Sequence, residues 1–204
     1  MRLKPPIFCL LIFGLLLAFM PLAFAQAPAA AGKYQQELKR QAHAQWGLDA
    51  PVAAFAAQVH QESGWRPDAV SSVGAVGMAQ FMPATTRWWC EATGTPAAQC
   101  QPTNPRWALA ALVGYDRWQY ERTPAYMSRT DRLWLALRGY NGGLGHWQAE
   151  AKATGLRQPS RAQIDAACGK AKRSRLHCPE NLGYPKRILT LLQPRYAAWG
   201  VVWN

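Results

Sequence analysis

Apolar and polar positions follow a helical period along most of this chain. Val52, Phe55, Ala56 and Val59 recur at spacings of three and four, and Glu62 falls on the same face. That spacing predicts a helix whose apolar stripe ends at a carboxylate. Asp49 stands where a capping residue belongs, Pro51 suits the first turn, and Ser63-Gly64 with Pro67 stops the helix. Upstream, Tyr34 to Trp46 reads as a helix ending near Gly47, after a small Ala/Pro linker over Ala27 to Ala31. Arg66 to Gln80 is loop-like, with Gly74 and Gly77 as punctuation. Pro83 to Trp89 reads as a short helix, and Arg106 to Glu121 and Asp131 to Arg138 as helices rich in Ala, Leu and Trp. Gly139 to Gly145 reads as a glycine-rich turn. Lys152 to His177 is basic and irregular apart from a helix over Arg161 to Lys172, and Pro185 to Tyr196 forms an amphipathic closing helix. No convincing strand alternation and no internal repeat interrupt this, so the expected fold is mainly α.

The N-terminus stands apart from that pattern. Arg2 and Lys4 precede an almost unbroken apolar run from Ile7 to Phe19, and Ala23-Phe24-Ala25 offers a small-x-small cleavage site before Gln26. Residues 1–25 are therefore read as a signal peptide. A retained membrane anchor fits less well, because the run is short for a span and Pro21 interrupts it. Cys9 precedes most of the run, which is the wrong place for lipoprotein cleavage. The expectation is a periplasmic or secreted protein with no stable membrane span after cleavage. Residues 26–50 would form a linker and N-terminal helix, and 51–204 the functional domain. Of the formal net charge of +12, two units lie in the leader, and the surplus on the remainder favours polyanions. For an exported protein the acidic peptides and lipids of a cell envelope fit better than nucleic acid. Plain solubility is the bland alternative.

Four cysteines remain beyond the leader: Cys90, Cys100, Cys168 and Cys178. An even count in an exported chain argues for disulfides, and three pairings are possible. Cys90–Cys100 and Cys168–Cys178 are favoured, since each pair brackets a short polar segment. Each would stabilise by about 2–3 kcal/mol on the chain-entropy account. Zinc is the rival, but the close Cys-x-x-Cys spacing of zinc sites is missing. His60-Gln61-Glu62 is followed by Ser63-Gly64, without the second histidine of a zinc-protease helix. No metal and no cofactor are expected.

A lone glutamate at a helix end would ordinarily turn to water. What changes the reading is its company. Glu62-Ser63-Gly64-Trp65 is followed by Gly74-Ala75-Val76-Gly77-Met78-Ala79-Gln80-Phe81-Met82-Pro83-Ala84-Thr85, and later by Gly139-Tyr140-Asn141-Gly142-Gly143. This set resembles the soluble-lytic-transglycosylase family. Its signature is a Glu-Ser pair, then Gly-Leu-Met-Gln-x-Met-Pro-x-Thr, then Ala-Tyr-Asn-x-Gly. Glu180, Tyr184 and Ile188 resemble the family's closing Glu-Thr-x-x-Tyr-Val-x-x-Ile. The likeness runs from about Val52 to Tyr196, and three motifs in order are far more specific than any one.

The resemblance implies a lysozyme-like helical domain with a catalytic cleft, acting on peptidoglycan glycan strands. Glu62 would be general acid and then base, with Ser63 beside it to orient the carboxyl or the substrate. Gln80 would contact sugar, Tyr140 would place its hydroxyl near Glu62, and Asn141 would hold the turn or line the cleft. Departures bear on substrate preference. Met78-Ala79 replaces Leu-Met, so the family's methionine contact is missing or moved to Met78. Gly139 replaces alanine, and Asn104-Pro105-Arg106-Trp107 replaces Asp-Pro-x-x-Asn-Ile, while Tyr115 still fits.

The chemistry of a single carboxyl agrees with this. Protonating a glycosidic oxygen near neutral pH requires an acid kept uncharged by apolar burial. Hydrolysis by inversion or through a covalent intermediate requires two carboxyls, about 5–10 Å apart. Residues 72–90 contain no Asp or Glu, and Asp68 reads as structural. A carboxylate distant in sequence could still fold into the cleft. Transglycosylation needs one group. It protonates the leaving oxygen between MurNAc and GlcNAc and then takes the C6-hydroxyl proton, giving a 1,6-anhydro product, while the substrate's N-acetyl group steadies the cationic carbon. The alternatives are a muramidase-type hydrolase and a non-catalytic peptidoglycan-binding protein of an envelope-spanning machine. Retention of Glu62, Gln80 and Tyr140 together speaks against the binder. A nucleic-acid role for Lys170 to Arg175 is disfavoured, that cluster reading as a solvated or wall-facing surface. Of ten tryptophans, Trp65 and Trp147 are best placed to stack on sugars, while Trp118 and Trp134 read as core. The size resembles members that serve secretion or conjugation machines.

Overall fold

The computed structural model describes residues 26–203, so the leader expected over 1–25 lies outside the described residues. Eight α-helices are described: α1 (Gln35–Trp46), α2 (Val52–Ser63), α3 (Pro83–Ala92), α4 (Pro105–Glu121), α5 (Arg129–Gly142), α6 (Leu144–Ala153), α7 (Arg161–Ala166) and α8 (Cys178–Lys186). Beyond α8 the chain winds through a π-helical segment, Arg187–Leu192, and a 3-10 segment, Gln193–Trp199. Among the described residues the only β pairings are isolated bridges, Val70 with Val76 and Val76 with Phe81. The mainly α expectation holds.

Helix α2 is the axle. Every residue from Val52 to Val59 is buried, including the polar Gln58, and a helix apolar nearly all round belongs inside a fold rather than on its surface. It packs against α1, α4, the π-helical segment and the final 3-10 segment. Its own Phe55 packs with Leu38, Leu109, Leu112, Leu133 and Ile188 in one fully buried cluster, and each such side chain contributes about 1.5–3 kcal/mol on leaving water. The segment Ala29–Tyr34 is 3-10 helical with Ala31 buried, so the stretch read as a linker lies against the core.

Several boundaries differ from the sequence reading for identifiable reasons. Asp49 does not cap α2. Its carboxylate pairs with Arg129 at 2.7 Å, its carbonyl accepts from Trp203 Nε1 at 2.9 Å, and Pro51 occupies the cap position without a side-chain bond. Helix α3 runs past Trp89 to Ala92 and so carries Cys90. Helix α5 begins at Arg129, under a Ser128 cap, and continues through the expected glycine turn to Gly142. Gly139 lies inside this helix, and its lack of a side chain makes room for Gln119, whose Oε1 would stand 2.3 Å from a Cβ there. The turn proper is Gly143, at φ 88°, and α6 follows at once. The helix expected over Arg161 to Lys172 stops at Ala166. The closing helix starts at Cys178 rather than Pro185. Pro185 sits inside it and cannot donate to the carbonyl one turn back, and the chain takes π geometry from Arg187 onward.

Both favoured disulfides are present, Cys90–Cys100 with Cα atoms 6.1 Å apart and Cys168–Cys178 with 5.9 Å. Residues following the first of them press on the loop that precedes α3. Gly77 has φ 76°, and a Cβ there would lie 1.9 Å from the Pro102 carbonyl oxygen. A second, charged core joins α5, α6, α7 and α8. Arg138, fully buried, donates to Asn181 Oδ1 at 3.0 Å and to Asp165 at 2.9 Å, and pairs with the fully buried Glu150. Arg173 Nε donates to the other Glu150 oxygen at 3.0 Å.

Candidate active site

Glu62 closes the buried face of α2 one residue before Ser63 and the left-handed Gly64 (φ 59°) that ends the helix. The residue opens partly onto a cleft, while protein atoms crowd its carboxyl. Desolvation drives the pKa up to about 7, against the opposing pull of a hydrogen bond donated by the Tyr184 hydroxyl. Its position at a helix C-terminus also disfavours negative charge. Among the described residues no guanidinium or ammonium is paired with it. A carboxyl so placed is protonated in part at neutral pH and can serve as acid and then base.

The cleft encloses about 460 Å³, and Glu62, Gln80, Met82, Tyr140, Asn141 and Glu180 line it. Four residues expected from sequence thus meet in one cavity. Gln80 holds a left-handed φ of 49°, rare outside glycine. Its amide is fixed by donation to Gly77 O at 3.0 Å and Ala69 O at 3.2 Å. Asn141 donates to Glu180 at 3.4 Å and accepts from Asn181 Nδ2 at 3.0 Å, which ties the cleft wall to the buried ion network.

Other expectations shift. The hydroxyl on Glu62 belongs to Tyr184, not Tyr140. Tyr140 donates instead to Ala79 O at 2.6 Å, and its ring lies parallel to that of Tyr184, 6.4 Å between centroids. Burial first, and the nearby Glu62 charge second, hold both phenols well above their ordinary pKa, so they act as donors. Ser63 turns its hydroxyl back to Val59 O at 3.3 Å and is buried away from the cleft. Met78 is 0 % exposed, whereas Met82 is 41 % exposed on the cleft wall, so the accessible methionine is the later one. Trp65 is buried against Tyr196 and Trp199, its Nε1 donating to Tyr196 OH at 2.7 Å, and Trp147 is buried beside Leu135 and Ile164. Neither lines the cleft. Trp118 and Trp134, expected in the core, are half-buried under the guanidiniums of Arg122 and Arg161.

Sequence reasoning gave no role to two carboxylates, Glu180, which it named only within the closing stretch, and Asp116. Glu180 does reach the cleft, at its exposed lip. Asp116 lies fully buried on α4, and its Oδ1 accepts from Gln58 Nε2 at 3.3 Å, one helical turn before Glu62. Burial holds Asp116 well above the usual carboxylate range and the Glu62 charge adds to this, while the Gln58 bond opposes both. Tyr184 and Met82 stood inside recognised stretches and could have been found there. Asp116 had no motif, only the oddity of an acid on an apolar helix face. His60 is occupied with the Tyr196 hydroxyl at 2.9 Å. Among the described residues no group of three or more His, Cys, Asp or Glu could hold a metal ion.

The Transglycosylase SLT domain family model matches residues 37–162. The membrane-bound lytic murein transglycosylase F of Maricaulis maris (strain MCS10) is 38% identical over 92 residues, 45% of this chain and 18% of that protein. The protein of the same name from Alcanivorax borkumensis is 32% identical over 111 residues, 54% of this chain and 22% of that one. The chain therefore spans about a fifth of the length of these relatives. The 70 kDa soluble lytic transglycosylase of Escherichia coli superposes with a TM-score of 0.61 at 21% identity, covering 83% of this chain and 25% of that one. A complex of the 70 kDa soluble lytic transglycosylase with bulgecin A gives 0.60 at 22% identity, over 84% and 26%. The lysozyme-like helical fold is shared.

Proposed function

The chain belongs to the Transglycosylase SLT domain family, and on that premise we propose that it is a peptidoglycan lytic transglycosylase, cleaving the MurNAc–GlcNAc bond with formation of 1,6-anhydro-MurNAc. The observation that carries this reading is the desolvated Glu62, poised near neutrality by one phenol and by no cation among the described residues. Protonated Glu62 delivers its proton to the glycosidic oxygen. The resulting carboxylate receives a hydrogen bond from Tyr184, which steadies it until it takes the C6-hydroxyl proton. Gln80, Met82 and Asn141 grip the strand along the cleft, and the Tyr140 ring backs Tyr184.

One observation favours a second reading, muramidase-type hydrolysis: Glu180 supplies a second carboxylate on the cleft wall. It is exposed and bonded to Asn141, which suits a strand contact better than a nucleophile held against the sugar. Mass spectrometry of products from purified sacculi separates the two. Anhydro ends support the transglycosylase, and reducing ends in their place sink it. Retained product chemistry in Glu180→Gln would remove the second carboxylate from the mechanism. The leader over 1–25, and with it a periplasmic or secreted setting, belongs to the same proposal. Among the described residues no helix is long and apolar enough to cross a membrane. Service to a secretion or conjugation machine is proposed on size alone.

A further inference from the structure

A second hollow of about 470 Å³ adjoins the cleft and shares Asn141 and Glu180 with it. Its other walls are His146 on α6 and the segment Lys172, Arg173, Ser174 and His177. That segment is closed off by the Cys168–Cys178 disulfide and lies beyond the family match, which ends at residue 162. Arg173 is only 6% exposed. It spends Nε on Glu150, its Nη2 is buried with no hydrogen-bond partner among the described residues, and Nδ1 of His146 is in the same condition. Buried donors are ordinarily paired, since an unpaired one forfeits its hydration without return. The guanidinium is held rigidly as well. A Cβ on Gly142 would stand 2.5 Å from Arg173 Nη1, so the helix backbone presses directly against it. Lys172, exposed beside it, adds a second cation, while the opposing carboxylates are Glu150, which is shared between Arg173 and Arg138, and Glu180 at the rim. A planar fork with unspent donors, a neighbouring ammonium and a serine hydroxyl match the geometry of a carboxylate.

We infer that this hollow is a carboxylate site, taking an acidic group of the peptide stem carried by the glycan strand in the adjoining cleft. The inference rests on peptidoglycan being the substrate. The stem branches from the muramyl sugar, and a sugar seated between Gln80 and Asn141 would send its branch over the shared wall formed by Asn141 and Glu180. The lactyl carboxylate, exposed only when the stem is removed, offers the same chemistry from a second source.

The test is binding to the full chain carrying Glu62→Gln, read by calorimetry with three strands: intact stems, stems whose carboxylates have been converted to amides, and strands stripped of stems. Intact strands are expected to bind about tenfold tighter than amidated ones, equivalent to about 1.4 kcal/mol. Adding Lys172→Glu, or Arg173→Lys, which keeps the charge on Glu150 and loses the fork, should bring that ratio close to one, with thermal melts reporting that each variant folds. A ratio near one in the parent, or one untouched by both variants, overturns the site. Tightest binding of stripped strands, abolished by Lys172→Glu, would give the pocket to the lactyl group and overturn the stem assignment. Cleavage by the unmodified chain is measured in parallel. Absence of turnover with an intact ratio brings down the catalytic reading alone, and turnover with a flat ratio brings down the pocket alone.

Discussion

Glu62 and Glu150 are both helix glutamates withdrawn from bulk water, yet their neighbourhoods are opposites. Glu150 is clasped by two guanidiniums, Arg138 and Arg173, inside a charged core. Glu62 has apolar helix, crowded aromatics and a single phenolic hydrogen bond. In the first neighbourhood charge is matched by charge, and the carboxylate serves as an architectural pin. In the second, ionisation is penalised, and the proton becomes available for transfer. Burial alone therefore does not set what a carboxyl can do: Glu150 has two cations beside it, and Glu62 has none among the described residues.

The sharpest way to break the comparison is Glu62→Gln. Cleavage should fall by about 10²–10⁴-fold, read as soluble muropeptide released per minute, and undiminished turnover would remove Glu62 from the chemistry. The same variant tests the energetic side. A carboxyl whose pKa rises on folding is easiest to bury below its unfolded pKa of 4.5, and that advantage is lost as pH rises through about 7. Glutamine carries no such burden, so its melting temperature relative to wild type should improve from pH 5 to pH 8. A difference that does not change with pH contradicts the raised pKa. Next comes Glu150→Gln, which strands the buried Arg173 and leaves Arg138 with the Asp165 carboxylate alone, and should cost about 3–5 kcal/mol in urea unfolding, an effect Glu62→Gln must not share. Replacing Cys168 and Cys178 by serine should remove about 2–3 kcal/mol, read as a lower thermal midpoint. The subtlest change is Tyr184→Phe. Activity needs the protonated acid and declines as pH passes about 7. Losing a bond that favours the carboxylate moves that falling limb to higher pH, and a limb moving lower would refute the assigned donor.

Much of the apolar half was legible because its signals are local. The three-and-four spacing of Val52, Phe55, Ala56 and Val59 placed Glu62 on the right face, and the motif order placed Gln80 and Asn141 in its cavity. The charged half was not, since its logic is long-range. Arg138 meets Asp165, 27 positions on, and Asn181, 43 positions on. No window of sequence distinguishes those residues from solvated surface. Glycine misled for a related reason. Gly139 and Gly142 were read as turn-formers, but they are small so that Gln119 and Arg173 can lie against the helix. Tyr140 shares the cavity of Glu62, yet the hydroxyl bonded to Glu62 is that of Tyr184, to which no role was given, because a motif fixes a ring's address in the chain and not the direction of its hydroxyl.

The carbonyl of Pro102 occupies the space that a methyl group at position 77 would need. The two strands of backbone in contact there belong to the Cys90–Cys100 neighbourhood and to the loop whose Gly77 carbonyl anchors the Gln80 amide. An alanine at position 77 would therefore have to displace either the backbone beside the cystine or the loop that anchors the Gln80 amide, and could not leave both where they stand.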